Sequence, residues 1–563
     1  MAVRQAKSSS RSRVIVNGPD RNFDYDWLVI GSGFGGSVAA LRLSEKGFRV
    51  GVLERGRRYA PQDLPTSAWQ SGRYLWAPRL RKLGVMRMSM FRDIFFPSQS
   101  GVGGGSLVYG GVLYRAKNEF FNGAQWRDLG DWEQRLRPHY DTAERMLGAA
   151  PVPFDSVHQQ WIREMGRHFG TEDTVRRAPT GVFFGEPGIT VPDPYFGGAG
   201  PDRTGCTRCG ACMVGCRVGA VNSLTQNYLW FAERNGVHIL PEHQAIDVAP
   251  VGDPDGRDGY YVTTRHPTRR RGQTYTTRGV VFAGGALGTN ELLANCKHRG
   301  SLPNLSDRLG ELVRTNSESV LTVLLPEDQG SWRDVTASSS VHVDADTHIE
   351  LLTYGSNADA LGLLYTVLVG DGTRITRPLK WIAAIARHPG RWLATLWPVG
   401  WSRRMAMLLV MQSRDNALSF RARKRLWGNS YRLSTVQSTG NPVPTYIDKG
   451  NQAARWLAER TGGIAQSSVL EALGNIPSTA HLLGGAVIGA SRAEGVIDAN
   501  LRVFGYRNML VCDGSAMPAN PGVNPALTIT ALAEYAMAQV PAHAGSAPDV
   551  DNQLQNDQRR GHT

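Results

Sequence analysis

The chain has 563 residues, of which 41% are hydrophobic and 20% are charged, a balance typical of globular proteins. This length exceeds what one hydrophobic core usually supports, so two or more domains are expected. The formal net charge is +14, but the basic residues are scattered and no nucleic-acid-binding module is found, so binding to DNA or RNA is not expected. A solvated basic surface or contact with an anionic membrane accounts for the charge.

The two ends of the chain predict little structure. Residues 1–19 are basic and polar and lack the apolar centre of a signal peptide, so they are predicted to form a disordered leader. Residues 543–563 are polar and are predicted to form a flexible tail. The chain has no apolar run of about 18 residues, which predicts no transmembrane helix. The expected location is cytoplasmic, with peripheral membrane contact left open.

The stretch from Trp27 to Glu54 predicts a dinucleotide-binding unit. An apolar run at 27–30 predicts a buried strand, helical apolar spacing follows a glycine-rich turn, and a second strand at 48–53 ends at Glu54. The glycines of the G-x-G-x-x-G pattern are Gly31, Gly33 and Gly36. In this pattern the first makes the turn, the second admits a pyrophosphate, and the third packs helix on strand. Glu54 is expected to accept hydrogen bonds from an adenosine ribose.

Further glycine-rich turns follow along the chain. Residues 103–106, within QSGVGGGSLVYGGV at 99–112, are predicted to bring backbone against a flat ligand, with a flexible linker as the alternative. A strand at 276–282 leads into a Gly-Gly turn at 284–285 and a short helix. Near the end of the chain, a predicted strand at 508–513 ends in an acid, Asp513, and is followed by Gly514.

Residues 377–411 interleave tryptophan and arginine. Together on short amphipathic helices, these residue types suit a membrane interface, because the rings lie at headgroup level and the guanidinium groups bind phosphate. The alternative is helices that cover a large apolar substrate pocket. Both interpretations predict an apolar substrate.

Four cysteines fall in the segment CTRCGACMVGCRVGA, with the spacing C-x₂-C-x₂-C-x₃-C. This spacing is that of a bacterial ferredoxin loop, although Arg217 replaces the proline that usually follows. A zinc site and unmetallated thiols are the alternatives, whereas disulfides are not expected in a cytosolic chain. The predicted ligands are Cys206, Cys209, Cys212 and Cys216.

Segments that resemble one known family occur along the whole chain. They read IGSGFGGSVAALRLSEKG at 30–47, GVGGGSLVYGG at 101–111, AGGALGTNELL at 283–293, HLLGGAVIG at 481–489 and GVIDANLRVFGYRNMLVCDGSAMPANPGVNPALTITALAE at 495–534. By these motifs the chain resembles the glucose–methanol–choline (GMC) family of flavin oxidoreductases, and most closely its bacterial cholesterol oxidase branch. The resemblance implies an α/β fold, with a Rossmann-like FAD-binding domain and a discontinuous α+β substrate-binding domain.

The resemblance also implies FAD as cofactor and a set of site residues. The FAD-binding domain is predicted over 20–125, 200–300 and 475–542, and the substrate domain over 126–199 and 301–474. The residues predicted to bind the cofactor, from the fingerprint or the resemblance, are Gly31, Gly33, Phe34, Gly35, Gly36, Glu54, Gly103, Gly104, Ser106, Gly110, Gly284, Asp513, Gly514, Asn524 and Pro525.

His481 and Asn524 match the catalytic pair of the family. A histidine at the flavin face accepts the hydroxyl proton while the hydride moves to flavin N5, and an amide orients the substrate. Leu482 departs from the family, in which proline is common at this position. Cholesterol oxidases also shift the steroid double bond with a carboxylate, for which Glu350 is the candidate. An ordinary surface or salt-bridged glutamate is the alternative.

The predicted function is oxidation of a secondary alcohol of a sterol-like lipid to a ketone. The electrons then pass to oxygen or, through a cysteine-bound cluster, to a redox acceptor protein, as the resemblance of CMVGCRVGA to FAD-dependent glucose dehydrogenases implies. The alternatives are a dehydrogenase of a sugar, long-chain or terpenoid alcohol, and a flavin and iron–sulfur electron-transfer module.

Overall fold

The computed structural model of the chain describes residues 23–269, 271–425 and 430–543. The predicted leader, and the predicted tail apart from His543, lie outside these residues. The strands of the two large sheets are β1 (Tyr25–Ile30), β2 (Val50–Leu53), β3 (Arg176–Arg177), β4 (His238–Leu240), β5 (Gln244–Pro250), β6 (Tyr260–Arg265), β7 (Gly272–Phe282), β8 (Ser319–Leu324), β9 (Ala337–His342), β10 (Thr347–Leu352), β11 (Tyr365–Val367), β12 (Met405–Gln412), β13 (Ile464–Ser468) and β14 (Met509–Val511).

The helices longer than one turn connect and cover these sheets. They are α1 (Phe34–Glu45), α2 (Trp132–Leu147), α3 (Val157–Phe169), α4 (Tyr228–Arg234), α5 (Gly285–Arg299), α6 (Thr376–Arg387), α7 (Pro389–Thr395), α8 (Asp448–Thr461), α9 (Val469–Gly474) and α10 (Ala526–Ala538). A separate antiparallel hairpin pairs Leu418–Lys424 with Tyr431–Gln437. Within the described ranges, no helix has the length and apolar character needed to cross a bilayer.

The first sheet is built around the predicted dinucleotide-binding unit. Its order in the described residues is β4-β2-β1-β7-β6-β5, and β14 also pairs with β7. The strands β4, β2, β1, β7 and β14 pair in parallel, and β5 and β6 extend the sheet as an antiparallel meander. β1 and β2 are almost entirely buried, as a parallel sheet covered on both faces requires.

The C-terminal helix α10 closes the first domain over its N-terminal helix. α10 packs against α1 and α2, and almost all its residues are buried. Its Glu534 accepts hydrogen bonds from Arg42 Nε of α1 at 2.8 Å and from the Tyr228 hydroxyl at 2.7 Å. The first and last segments of the chain therefore form one core, although they are far apart in sequence.

The second sheet is antiparallel and carries the candidate catalytic carboxylate Glu350 on β10. Its order in the described residues is β11-β13-β8-β12-β10-β9-β3. Helices α3 and α8 cover one face through a cluster that includes Trp161 and Leu457. A second cluster around Trp401, Met405 and Met407 fills the space on the other side of the sheet.

The observed elements confirm the predicted fold class of a Rossmann-like unit with a second α+β sheet. The tryptophan- and arginine-rich segment forms α6 and α7, but its last part forms β12, so the prediction of helices there is wrong. The run at 405–411 is apolar at every position, and β12 lies fully buried between β8 and β10. Such an uninterrupted apolar run suits a central strand. The domain boundaries stay a prediction, and α2, which falls in the range given to the substrate domain, packs into the first core.

Candidate active site

Three remote segments of the chain meet at the glycine-rich turn between β1 and α1. A Cβ atom on Gly31 would lie 2.2 Å from the carbonyl oxygen of Ala283, and one on Gly35 would lie 1.5 Å from that of Cys512. A Cβ on Gly104 would lie 2.7 Å from the Cα of Gly33. Only glycine permits these approaches, so the turn brings together the loops that follow β7 and β14 and the loop at 103–106.

The second fingerprint glycine leaves open space at the start of α1. A Cβ on Gly33 would have no atom of the described residues within 4 Å, and Gly33 is the N-cap of α1 without a side-chain cap. Backbone N–H groups at an uncapped helix start favour anions such as phosphates. The turn therefore has both the room and the donors that a pyrophosphate needs.

Glu54 follows β2 and holds the turn in shape. Its Oε2 accepts a hydrogen bond from the Ser32 hydroxyl at 2.7 Å, and its Oε1 accepts one from the Gly56 N–H at 2.7 Å. The Ser32 hydroxyl oxygen in turn accepts one from the Gly103 N–H at 3.1 Å. Glu54 thus links the fingerprint turn to the second glycine-rich loop and lies where the fold positions a ribose-binding acid.

The loop at 103–106 is shaped by Ser106. Its hydroxyl donates to the Gly103 carbonyl oxygen at 2.7 Å and accepts a hydrogen bond from the Leu224 N–H at 2.9 Å. Further along the same stretch, Tyr109 packs edge-on against Phe34 of the fingerprint turn, with ring centroids 5.5 Å apart. The neighbouring Gly110 instead faces Thr336.

Asp513 organises the turn after β14. It accepts hydrogen bonds from the Ser515 N–H at 2.8 Å and from the Thr289 hydroxyl at 2.5 Å, and Thr289 Oγ1 accepts one from the Gly284 N–H at 3.1 Å. Burial raises the pKa of Asp513, although these hydrogen bonds oppose the shift. The carbonyl oxygen of Gly514 accepts a hydrogen bond from the Gly484 N–H at 2.8 Å, which joins this turn to the loop of His481.

His481 contacts a buried carboxylate that the sequence did not indicate. Its Nδ1 lies at hydrogen-bonding distance from Glu318 Oε1, and the other oxygen of Glu318 accepts hydrogen bonds from the Thr479 hydroxyl and the Ala480 N–H, both at 2.7 Å. Burial lowers the pKa of His481, but the charge and hydrogen bond of Glu318, with a smaller contribution from Glu350, outweigh it and raise the pKa. Because a carboxylate only accepts, Glu318 assigns the ring N–H to Nδ1 and leaves Nε2 free to act as a base.

Asn316 connects Glu318 to the loop of Asn524. Its Nδ2 donates to the carbonyl oxygen of Val523 at 3.0 Å and to Glu318 Oε1 at 3.3 Å, and its Oδ1 accepts from the Gly522 N–H at 2.9 Å. Asn316 has a left-handed backbone with φ of 55°, which asparagine tolerates better than most residues. The two candidate catalytic side chains are therefore held by one hydrogen-bond network. Pro525 follows as the N-cap of α10.

Glu350 lies next to the candidate pair and is not a surface residue. Its side chain is 0% exposed, so the surface alternative is wrong. Its Oε2 lies 3.5 Å from Asn524 Nδ2, and its Oε1 lies 3.1 Å from Nε2 of the buried His348. The Oδ1 atom of Asn524 is buried and has no hydrogen-bond partner among the residues that the structure describes. A buried acceptor without a partner is unusual and indicates a site for a ligand hydroxyl or N–H group.

These observations support a fit to FAD. The open, uncapped turn suits its pyrophosphate, Glu54 suits its ribose, and Asn524 offers an unpaired acceptor close to Glu350. Glu318, Asn316 and Thr479 were missed from the sequence because no motif surrounds them. The only local signal is the polar run TNSES at 315–319, immediately before an apolar strand.

The four cysteines line one pocket together with Asp334. Cys212 is buried, Cys206 and Cys216 are half-buried and Cys209 is exposed. Burial raises the pKa of Cys206 to about 11, which keeps this thiol protonated near neutral pH. In the part of the chain that the structure describes, no three His, Cys, Asp or Glu side chains are arranged so that they could hold a metal ion. As it stands, the pocket is a cluster of thiols and not a formed metal site.

Comparisons with known proteins agree with this geometry. A family model described as GMC oxidoreductase matches residues 448–533, and one described as NAD(P)-binding Rossmann-like domain matches residues 29–60. A cholesterol oxidase of Acinetobacter baumannii is 41% identical over 530 residues, which cover 92% of this chain and 95% of the relative. A cholesterol oxidase of Mycobacterium tuberculosis is 44% identical over 530 residues, which cover 91% of this chain and 90% of the relative.

Among solved structures, pyridoxine 4-oxidase from Mesorbium loti aligns with a TM-score of 0.59 at 15% identity, covering 92% of this chain and 99% of that structure. A fungal aryl-alcohol oxidase aligns with a TM-score of 0.57 at 14% identity, covering 92% of this chain and 98% of that structure. These two similarities concern the fold. The two cholesterol oxidases, each more than 40% identical over most of both chains, together with the matching family model, show that the chain belongs to the GMC oxidoreductase family and is an FAD-dependent alcohol oxidoreductase.

Proposed function

We propose that the protein oxidises a secondary alcohol of a sterol such as cholesterol to the ketone. The observation that carries the proposal is the contact of His481 Nδ1 with the buried Glu318, which leaves Nε2 of His481 free. Asn316 joins Glu318 to the loop of Asn524, whose Oδ1 is unpaired among the described residues. The high identity to two cholesterol oxidases supports a sterol as the substrate class.

Each residue of the site has a defined role in this proposal. FAD, when bound, supplies the hydride acceptor. His481 Nε2 accepts the proton of the substrate hydroxyl, and Glu318 stabilises the resulting imidazolium through Nδ1. Asn524 forms a hydrogen bond with the substrate oxygen and orients the reacting carbon. Because the Glu318 charge favours protonated His481, it also favours proton transfer from the alcohol.

Glu350 is proposed to act on the carbon skeleton after oxidation. In a 3-keto steroid, a carboxylate over the ring can remove a proton from one carbon and return it to another, which moves the double bond into conjugation. Glu350 is buried and 3.5 Å from Asn524, which supports this role over that of a structural ion pair alone.

The exposed faces of α6 and α7 support contact with a lipid surface, and we extend the proposal to it. The side chains on these helices and their following turn that are more than half exposed include Leu379, Ile382, Leu393, Leu396 and Trp397. Arg387 and Arg391 are exposed among them. Apolar side chains interleaved with arginine suit an anionic bilayer, from which a sterol enters the protein.

The iron–sulfur cluster stays a prediction that rests on the cysteine spacing, because the four thiols line one pocket but are not arranged as a metal site in the described residues. Tyr109 lies between this pocket and the fingerprint turn, because it packs against Phe34 and against the cluster that contains Cys212. A cluster there would favour transfer of electrons to a protein acceptor over transfer to oxygen. A zinc site or free thiols would instead favour transfer of the electrons to oxygen.

The test is an anaerobic mixture of the purified holoenzyme with cholesterol in detergent micelles. Bleaching of the flavin absorbance is expected, and subsequent admission of oxygen shows whether oxygen is an acceptor. If cholesterol does not bleach the bound flavin, a sterol is rejected as the substrate, and long-chain, terpenoid and sugar alcohols are tested next. If cholesterol reduces the His481→Ala variant as fast as the unaltered protein, His481 does not have its assigned role. An electron-transfer module is favoured if His481→Ala leaves electron transfer to an acceptor intact and no alcohol bleaches the flavin.

A further inference from the structure

A buried histidine lies directly beside Glu350, the candidate base for the double-bond shift. His348 and Glu350 are two residues apart on β10, so their side chains point to the same face of the second sheet. Both are 0% exposed, and His348 Nε2 lies 3.1 Å from Glu350 Oε1. The other carboxylate oxygen, Oε2, lies 3.5 Å from Asn524 Nδ2. The two oxygens of Glu350 therefore have different neighbours, one in the sheet and one in the loop of the candidate catalytic pair.

A second histidine contacts the other ring nitrogen of His348. His342 on β9 is the direct cross-strand partner of His348, and its Nε2 lies 3.3 Å from His348 Nδ1. The two rings meet edge to face, with centroids 4.7 Å apart and planes at 72°. Burial and neighbouring positive groups, among them His348 and Lys117, lower the pKa of His342 to about 3. His342 is therefore a neutral imidazole with a single ring N–H at neutral pH.

The hydrogen bonds between these three side chains run in one direction. A carboxylate only accepts, so its contact with His348 requires a proton on His348 Nε2. A neutral His348 then has an unprotonated Nδ1, which accepts a hydrogen bond from the proton on His342 Nε2. Both imidazoles therefore donate towards Glu350. The arrangement supplies the carboxylate with a fixed hydrogen bond and transfers no proton.

The ring of His348 is also held by packing. Tyr114 lies edge-on against it, with ring centroids 5.2 Å apart. The Tyr114 hydroxyl lies 2.7 Å from the hydroxyl of Ser340, which is the cross-strand partner of Glu350 on β9. Two aromatic neighbours and the pleat of β10 therefore fix the orientation in which His348 meets the carboxylate.

We propose that His348 is a positioning residue that holds the Glu350 carboxylate in place for the shift of the steroid double bond. The inference rests on the proposed function, in which Glu350 is the base for this step. Glu350 removes a proton from C4 of the 3-keto steroid and returns it to C6. The C4–H bond breaks, a C6–H bond forms, the double bond moves from C5–C6 to C4–C5, and the carboxylate ends unchanged.

The hydrogen bond from His348 serves this step in two ways. It occupies Oε1, which leaves Oε2, on the side of Asn524, to carry the proton between the two carbons. It also stabilises a buried carboxylate, because a buried charge without a donor favours its protonated form, which cannot act as a base. A neutral donor suits a base that has to release the proton again.

The test supplies the unconjugated ketone, cholest-5-en-3-one, directly to the holoenzyme and follows the absorbance of the conjugated product. The rate is divided by the rate of flavin bleaching by cholestanol, which has no double bond to move. In His348→Leu, which has a similar volume but no donor, this ratio should fall by about tenfold or more. In His348→Gln, whose amide Nε2 can donate to the same oxygen, the ratio should stay within about threefold of the unaltered value.

His158→Leu is the matched control. His158 is equally buried, lies on α3, which packs against β9, and neither of its ring nitrogens has a hydrogen-bond partner among the described residues. The ratio should be unchanged in this variant. The inference is overturned if His348→Leu keeps the unaltered ratio. It is also overturned if His348→Gln is as slow as His348→Leu, because a role in packing alone would not distinguish the variants by their donor.

A second measurement needs no substrate. In protein labelled with ¹⁵N-histidine, the ring signals that disappear in His348→Gln belong to His348, and they should show a proton on Nε2 and none on Nδ1. A proton on Nδ1 instead would overturn the inference.

The outcomes separate this inference from the proposed oxidation. If the unaltered holoenzyme does not isomerise the ketone, Glu350 is not the base and the inference falls with it. If the ketone is isomerised in the predicted order of variants but cholesterol does not bleach the flavin, the inference is supported and the proposed oxidation is wrong.

Discussion

Glu318 and His481 are 163 positions apart in the chain, yet the Oε1 of one and the Nδ1 of the other lie at hydrogen-bonding distance. Glu318 belongs to the segment that enters β8, and His481 belongs to a loop joined to the turn after β14. The pair therefore depends on how the two sheets pack. It also determines which ring nitrogen of His481 is free to react.

Replacement of Glu318 by Gln should change the pH dependence of flavin reduction. The variant keeps a polar partner but loses the charge, so the pKa of His481 should fall. Since His481 acts as a base only when neutral, the acidic limb of the profile should move to lower pH by about one unit. The maximal rate should fall by about tenfold because the imidazolium is less stabilised.

Stopped-flow reduction by cholesterol between pH 5 and pH 9 measures both effects in that variant, within the range in which histidine titrates. His481→Ala is the companion variant. Its rate of flavin reduction should fall by about 10²-fold or more, and the acidic limb of the pH profile should disappear. The flavin absorbance of the purified variant should be unchanged, because FAD stays bound. A limb that stays in place or moves to higher pH in Glu318→Gln would contradict the assigned role.

Cys209→Ser should abolish iron and acid-labile sulfide if the four thiols bind a cluster. Metal and sulfide analysis of protein purified without oxygen measures this directly. Cys296→Ser is the control, because Cys296 is a lone buried thiol outside the pocket, and it should leave the metal content unchanged. Unaltered protein free of iron and sulfide would refute the cluster, and zinc in its place would support a structural zinc site.

The double replacement Leu393→Ser and Trp397→Ser should weaken binding to vesicles that contain anionic phospholipid by about tenfold, because it removes apolar side chains that would enter the bilayer. Co-sedimentation with the vesicles measures the change. Oxidation of a water-soluble alcohol should be unaffected. The paired control is Ile189→Ser and Tyr261→Ser, which removes exposed apolar groups elsewhere. Equal loss of binding in both double variants would argue against a lipid-facing role for α6 and α7.

Glu471→Gln should make the protein more stable at alkaline pH. Burial raises the pKa of Glu471 to about 8, only partly offset by the charge of Arg377. Between the pKa of an unfolded glutamate and this value the folded chain binds more protons than the unfolded chain, so stability falls as pH rises. The slope from this group is up to about 1.4 kcal/mol per pH unit. The free energy of unfolding, measured with urea at pH 6 and pH 8.5, should therefore change less with pH in the variant than in the unaltered protein. An equal change in both proteins would contradict the prediction.

Local patterns in the sequence predict the dinucleotide-binding unit well, since β1, α1 and β2 follow one another and each shows its own periodicity. His481 and Asn524 were predicted because they lie in motifs that resemble the family. Glu318 was not, because its role arises from tertiary packing and no spacing marks it. The apolar run that became β12 was also ambiguous, because a short buried strand and a buried helix look alike in sequence.

The pairing of β14 with β7 and the packing of α10 on α1 have a consequence for biosynthesis. The ribosome delivers β1 and α1 long before residues 509–538, so the N-terminal unit waits for those residues before its sheet and its helical cover are complete. Domains usually fold in the order in which they are made, but this one closes only after residues 509–538 have emerged. A nascent chain that stops before β14 leaves the edge of β7 and the apolar face of α1 open to chaperones.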